Sequence, residues 1–168
     1  MHGPAVVEGL AMTARLCGSI EPALEQLLMA TTFRCSIVTP SEAVFDDEVT
    51  YATFPAWDGQ QGVMTGQSPL LSRLGYGSLR LDFPEGGSRW YMIEGGFAQV
   101  QKGELTLLTD QAIPAERLSL KEAEAELAEA KAHVAAPGED RGKILRDQQR
   151  AMAKKAVAAA AEARGRAI

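Results

Sequence analysis

Between residues 33 and 109 apolar and polar positions alternate in short runs separated by turn residues. Phe33, Cys35 and Ile37 are spaced by Arg34 and Ser36, the period of a strand with one face buried. Val49-Thr50-Tyr51-Ala52-Thr53-Phe54 is rich in the β-branched and aromatic residues that suit a pleated surface. Leu79, Leu81 and Phe83 alternate with Arg80 and Asp82, after which Glu85-Gly86-Gly87 turns the chain into Trp90-Tyr91-Met92-Ile93, a hairpin pattern. Lys102-Gly103 likewise parts the apolar positions at 97–100 from those at 105–109. Glycines at 59, 62, 66, 75 and 77 predict tight turns between short strands, because glycine enters positive φ without steric cost. Short strands at close spacing predict an antiparallel β-sandwich or flattened barrel.

At Pro114 the period changes from two to that of a helix. Ser119-Leu120-Lys121-Glu122 is a capping box, and Leu120, Ala123, Leu127, Ala130 and Val134 follow at spacings of three and four. Pro137-Gly138 ends this helix. A second begins near Glu139-Asp140, whose charge suits a helix N-terminus, and runs through Ile144, Leu145, Met152 and an alanine tract to about Ala163. Two helices joined by so few residues predict an antiparallel hairpin. Its seam is mostly alanine, so the helices approach closely while burying little apolar area, and the hairpin is expected to be metastable. The first helix is acidic through Glu122, Glu124, Glu126 and Glu129. In the second, Arg141, Lys143, Arg146, Arg150, Lys154, Lys155, Arg164 and Arg166 outnumber Glu139, Asp140, Asp147 and Glu162. Such a basic helix either faces water or docks on an acidic protein surface or on nucleic acid.

The fold class is therefore β plus α: an N-terminal antiparallel β-sandwich followed by a C-terminal antiparallel helical hairpin. Three parts are expected, with residues 1–30 an extension, 31–113 a docking domain and 114–168 the two-helix hairpin. Residues 1–28 carry Glu8, Glu21 and Glu25 against Arg15 and no long apolar core, unlike a secretory or transit peptide. Met29 is expected to be the true initiator. A net charge of -5 and an aromatic share of 6% argue against nucleic acid as the partner. Cys17 and Cys35 have no ligand spacing and fit a reducing compartment.

No catalytic, cofactor-binding or metal-ligating residue is assigned. The only histidines are His2 and His133, so residues 31–113 lack the base that a Ser-His-Asp or Cys-His apparatus requires. Asp46-Asp47-Glu48 reads as a solvated turn. No GxxxxGK[ST] phosphate loop occurs.

Residues 33–41 (FRCSIVTPS), Val44-Phe45-Asp46, residues 59–81, residues 94–100 (EGGFAQV) and Thr106-Leu107-Leu108-Thr109-Asp110 resemble, in order, the epsilon subunit of F-type ATP synthases, over about residues 31–165. The resemblance implies a ten-stranded sandwich in the rotating central stalk, linking the gamma subunit to the membrane rotor ring and doing no chemistry itself. The hairpin would act as a switch, permitting ATP hydrolysis when folded on the sandwich. Extended along gamma, it would inhibit, with Arg141, Lys143, Arg146, Arg150, Lys154 and Lys155 meeting acidic loops of the catalytic beta subunits. The resemblance places the ring-facing turn at Asp58, Gly59, Gln60, Gln61 and Gly62. It places further partner contacts at Gly66, Gln67, Pro69, Leu70 and Leu71, and at Gly95 and Gly96. It implies a peripheral position on the cytoplasmic face of a bacterial plasma membrane, with the chloroplast thylakoid as the lesser alternative.

The sequence departs from the family pattern at two places. Met64-Thr65-Gly66-Gln67 stands for L-P-G-H and removes a titrating histidine. Leu118-Ser119-Leu120-Lys121-Glu122-Ala123 stands for the [IL]-D-x-x-R-A of members that bind ATP, with Glu122 reversing the charge of the arginine, so no useful ATP binding is expected. The alternative function is an unrelated β-sandwich adaptor whose basic helix holds nucleic acid or an acidic protein.

Overall fold

The computed structural model describes residues 32–132 and 140–165. The expected initiator Met29, and Cys17, His2, His133, Val134, Pro137-Gly138, Glu139 and Arg166, lie outside the described residues. Ten strands come first: β1 (Phe33–Val38), β2 (Ala43–Val49), β3 (Tyr51–Ala56), β4 (Gly59–Met64), β5 (Leu70–Arg73), β6 (Tyr76–Asp82), β7 (Ser88–Glu94), β8 (Phe97–Gln101), β9 (Glu104–Leu108) and β10 (Gln111–Pro114). A 3-10 turn at Ala115–Arg117 leads into helices α1 (Leu120–Ala132) and α2 (Arg141–Gly165).

The strands form two five-stranded sheets, ordered β2-β1-β9-β8-β5 and β10-β7-β6-β3-β4. Every strand pair is antiparallel except β1 and β9, which run parallel with Cys35 opposite Leu105 and Ile37 opposite Leu107. Alternation decides which side chains fill the space between the sheets. Cys35, Ile37, Val100, Leu105 and Leu107 from the first sheet meet Phe54, Val63, Leu79, Leu81, Tyr91 and Ile93 from the second. Phe45 sets its ring edge-on to Phe83 at 6.0 Å between centroids, a favoured aromatic geometry.

The β-rich residues 49–54 divide between two strands: Val49 ends β2 and Tyr51 opens β3, with Thr50 between them handing the chain from one sheet to the other. Two sequence expectations change. Asp46-Asp47-Glu48 is no turn but the middle of β2, pointing its polar side chains outward. Asp46 accepts both guanidinium hydrogen bonds of Arg34 at 2.7 Å, and Arg34 holds its carboxyl below the usual carboxylate range. Of the five glycines between 59 and 77, only Gly59 and Gly66 have positive φ. Gly75 and Gly77 serve close approach instead, since a Cβ there would lie 3.1 Å from the Ala56 carbonyl and 3.0 Å from Pro55 Cβ.

Both helices start as their sequences dictate. Ser119 Oγ accepts from the Glu122 amide at 3.4 Å, and Asp140 Oδ1 accepts from the Gly142 amide at 2.8 Å. Ala123, Ala151 and Ala158 are buried where the helices meet. The hairpin also packs on the outer face of the second sheet. Its residue Val157 is buried in a cluster with Met92 and Ala115, lined by Trp90, Tyr76, Leu118, Ala153 and Ala161. This explains why Trp90-Tyr91-Met92-Ile93 is apolar without interruption: Tyr91 and Ile93 face the sandwich interior while Trp90 and Met92 face the helix.

Candidate partner-docking site

The residues implied as partner contacts fall into three places. Trp57 and Asp58 form the tip between β3 and β4, and Gly59 begins β4 at φ 143. Gln60 pairs with Pro55, and Gly62 with Thr53. A Cβ at Gly62 would strike the Tyr51 ring, so this position has a packing reason of its own. Gly66 and Gln67 lie in the turn after β4, where Gly66 has φ 82 and the Gln67 amide donates to the Met64 carbonyl at 3.2 Å. Pro69 is exposed and leads into β5. There the strand period separates two adjacent leucines: Leu70 packs on the core, whereas Leu71 is 71% exposed.

Gly95 and Gly96 link β7 to β8 with φ 66 and 104. The Gly95 amide donates to Gly75, and the Gly96 carbonyl accepts from Leu74 at 2.8 Å, joining the two sheets at this end. A Cβ on Gly96 would run into the Leu108 carbonyl. Positive φ therefore accounts for Gly95, and positive φ together with backbone packing for Gly96.

Sequence reasoning missed the apolar strip on the outer face of the first sheet. Arg73 is opposite Phe97, Phe97 opposite Leu108, and Leu108 opposite Val38, one continuous cross-strand row. Phe97 and Leu108 are about as exposed as buried, and Leu71 stands two pairs along β5. Trp57, 73% exposed, joins the row through its amide, which donates to the Arg73 carbonyl at 3.0 Å. The pattern that reveals the strip is the pairing of Phe97 with Gln99 and Gln101 on one face while the smaller Ala98 and Val100 go inward. Placing the larger side chain inside gives the wrong answer for β8. A contiguous exposed apolar surface on a closed domain marks a place where another macromolecule binds.

The hairpin forms the second feature. On the outer face of β7, Trp90, Met92 and Glu94 succeed one another at period two. On α2, Arg164, Val157 and Arg150 succeed one another at period seven, two helical turns apart, and each sits over one of those strand residues. Arg164 lies on the Trp90 ring with Cζ 3.7 Å from the centroid, and Arg80 approaches the same ring at 5.4 Å. Arg150 reaches Glu94 at 3.7 Å. Between the helices, Lys154 meets Glu126 at 2.6 Å and Lys155 meets Glu124 at 3.0 Å. Arg146 pairs locally with Asp140 at 3.5 Å, whereas Arg141 and Lys143 are exposed. Four of the six cations assigned to an inhibitory contact are thus engaged by carboxylates of this chain. At the junction of hairpin and sandwich a cleft of about 480 Å³ is lined by Glu94, Glu126, Asp147, Lys143, Arg150 and Lys154 among others.

These surfaces present apolar side chains on the first sheet and paired charges on the hairpin. Among the described residues, no group of three or more His, Cys, Asp or Glu side chains is placed to hold a metal ion. Cys35 is buried, and desolvation pushes its thiol up to about 12, which keeps it protonated and unreactive. At the positions of the nucleotide motif, Ser119 caps α1, Ala123 is buried, and Glu122 presents an exposed carboxylate. No helix among the described residues is long and apolar enough to cross a membrane.

Residues 32–115 match the family described as ATP synthase, Delta/Epsilon chain, beta-sandwich domain. The ATP synthase epsilon chain of Rhodopirellula baltica is 43% identical over 99 residues, covering 59% of this chain and 77% of that one. The ATP synthase epsilon chain of a Synechococcus strain is 33% identical over 126 residues, covering 73% and 90%. The fold is similar to that of a chain in the cryo-EM structure of the Euglena gracilis mitochondrial ATP synthase, OSCP/F1/c-ring, at a TM-score of 0.67 and 21% identity, covering 95% of this chain and 90% of that one. With a match along the whole sandwich and relatives that share one description, the chain belongs to the family of ATP synthase epsilon subunits.

Proposed function

We propose that this chain is a non-catalytic subunit of the rotating central stalk of a proton-translocating ATP synthase. In this reading the sandwich joins the gamma subunit to the membrane rotor ring, with the β3–β4 tip at Asp58, Gly59 and Gln60 toward the ring. The strip of Leu71, Phe97 and Leu108, with Trp57 beside it, extends the partner contact beyond Gly66, Gln67 and Pro69. The observation that carries the reading is this strip: three large apolar side chains stand outside a sandwich whose interior is already filled. The complex holds the subunit at the cytoplasmic face of the bacterial plasma membrane, and the subunit needs no cofactor.

The helical hairpin is the brake. In the docked form described above, Arg150, Lys154 and Lys155 are occupied by Glu94, Glu126 and Glu124. Leaving the sandwich frees these cations for acidic loops of the catalytic beta subunits. The same engagement disfavours an adaptor that holds nucleic acid on this helix, because Arg146, Arg150, Lys154 and Lys155 already have carboxylate partners.

Removal of the hairpin from the assembled complex tests the reading. A stop after Ile113 would cut Pro114 from β10 and delete the buried Ala115. A stop after Leu118 keeps both. The expected result is faster ATP hydrolysis with proton pumping retained. Unchanged hydrolysis would reduce the hairpin to a passive appendage, and a complex that assembles and couples equally well without the whole subunit would overturn the stalk assignment.

A further inference from the structure

Glu94 is one of the two buried polar residues among the described residues, the other being Thr109. It stands at the end of β7 on the face that α2 covers, so its burial comes from the hairpin and not from the sandwich interior. Among the described residues its carboxylate has one ion-pair partner, Arg150, and at 3.7 Å the pair is long and half open to water on the arginine side. The Thr109 hydroxyl donates to the Glu94 backbone carbonyl and leaves the carboxylate alone.

We propose that docking of the helical hairpin on the sandwich is coupled to proton binding at Glu94, so that the hairpin holds more tightly in acid and loosens as the solution becomes alkaline. This deepens the reading of the hairpin as a brake that leaves the sandwich, and rests on it. When α2 lifts away, Glu94 regains water and loses Arg150. A carboxylate moved from water to a buried site favours its neutral form unless pairing compensates.

The groups around Glu94 set the sign. From α2 it faces Lys143, Asp147, Arg150 and Lys154; from α1, Glu126 and Glu129; from the sandwich, Gln111 and Asp110. Burial is the strongest influence and raises the Glu94 pKa. Arg150 and Lys154 pull against it, while Glu126 and Asp110 add to the rise, and the balance lies above the ordinary 4.5. The docked state therefore binds the proton more tightly than the undocked one. Its proton-linked part is fully present below the ordinary carboxylate value and is lost as pH rises through the raised one. Lys154 is itself held by Glu126 at 2.6 Å, which limits how far it can serve Glu94.

The full chain provides the test. Trp90 lies under the Arg164 end of α2, so its emission reports docking once Trp57→Phe removes the other tryptophan. His2→Asn and His133→Asn remove the side chains that ordinarily titrate between pH 5 and 8. In this background the red-shifted, undocked fraction is expected to rise several-fold from about pH 4.5 to about pH 8. Glu94→Gln, which keeps the shape and stays neutral, is expected to remove that rise and to stay docked at the alkaline end. Arg164→Ala, which loosens the far end of the helix, is expected to raise the undocked fraction at every pH and so calibrates the signal. An equal pH response in the parent and in Glu94→Gln would overturn the coupling while leaving the brake intact. No undocking in any variant, Arg164→Ala included, would overturn the coupling together with the mobile hairpin beneath it.

Discussion

Replacing Leu71 and Phe97 by alanine removes two side chains that the isolated sandwich leaves more than half exposed. Leu71 is 71% exposed and Phe97 53% exposed. Full burial of such a side chain contributes about 1.5–3 kcal/mol, so covering the exposed fractions is worth about 1–2 kcal/mol for Leu71 and about 1–1.5 kcal/mol for Phe97. Together that is about 2–3.5 kcal/mol, or about a 30- to 400-fold loss of affinity. The two positions are diagonal neighbours across β5 and β8, so their effects need not add. The portions of the two side chains already covered should cost about 1–2 kcal/mol of stability, whereas Leu105→Ala in the core should cost about 2–5 kcal/mol. The assay is titration of the double variant against the gamma subunit or the epsilon-depleted catalytic head, beside a denaturant melt of each chain. Undiminished binding by a folded double variant would refute the assignment of this face. A large loss of stability would show instead that the two residues belong to the core.

Two further outcomes follow from the backbone and the interior. Gly96→Ala combines φ 104 with a clash against the Leu108 carbonyl and should destabilise the sandwich by about 2–4 kcal/mol in denaturant titrations. In a Cys17→Ser variant, Cys35 should resist thiol reagents at mildly alkaline pH until the protein is unfolded. Because its thiol is raised from 9.0 to about 12, stability should fall as pH rises from the first value to the second, a loss that Cys35→Ala removes.

Alternation was a sound guide wherever one face of a strand is open to solvent, as in β1 with Phe33, Cys35 and Ile37 inward. It was silent where both faces are covered. The run Trp90-Tyr91-Met92-Ile93 identified a strand, yet its lack of alternation was itself the sign that something packs on the outside. Glu94 closes that run with the one buried charge among the described residues. Asp46-Asp47-Glu48 misled because three acids in a row mimic a loop, although an outward-facing bidentate arginine stabilises the strand there. Glycine spacing marked the right region but gave the wrong physics for Gly75 and Gly77, which admit neighbouring atoms and do not reverse the chain. Capping at Ser119 and Asp140 was legible because it is local in sequence. The strip of Leu71, Phe97 and Leu108 was not, since only the pairing of β5, β8 and β9 brings those residues onto one face.

The side-by-side pairing of β1 with β9 ties together residues seventy positions apart, as Ser36 and Thr106 show. During synthesis, therefore, the first hairpin must wait for nearly all the remaining strands before its open flank is covered, and such distant closure is slow. The helices leave the ribosome after the strands. By then the floor on which they settle has been laid, so errors in them come too late to spoil the domain beneath.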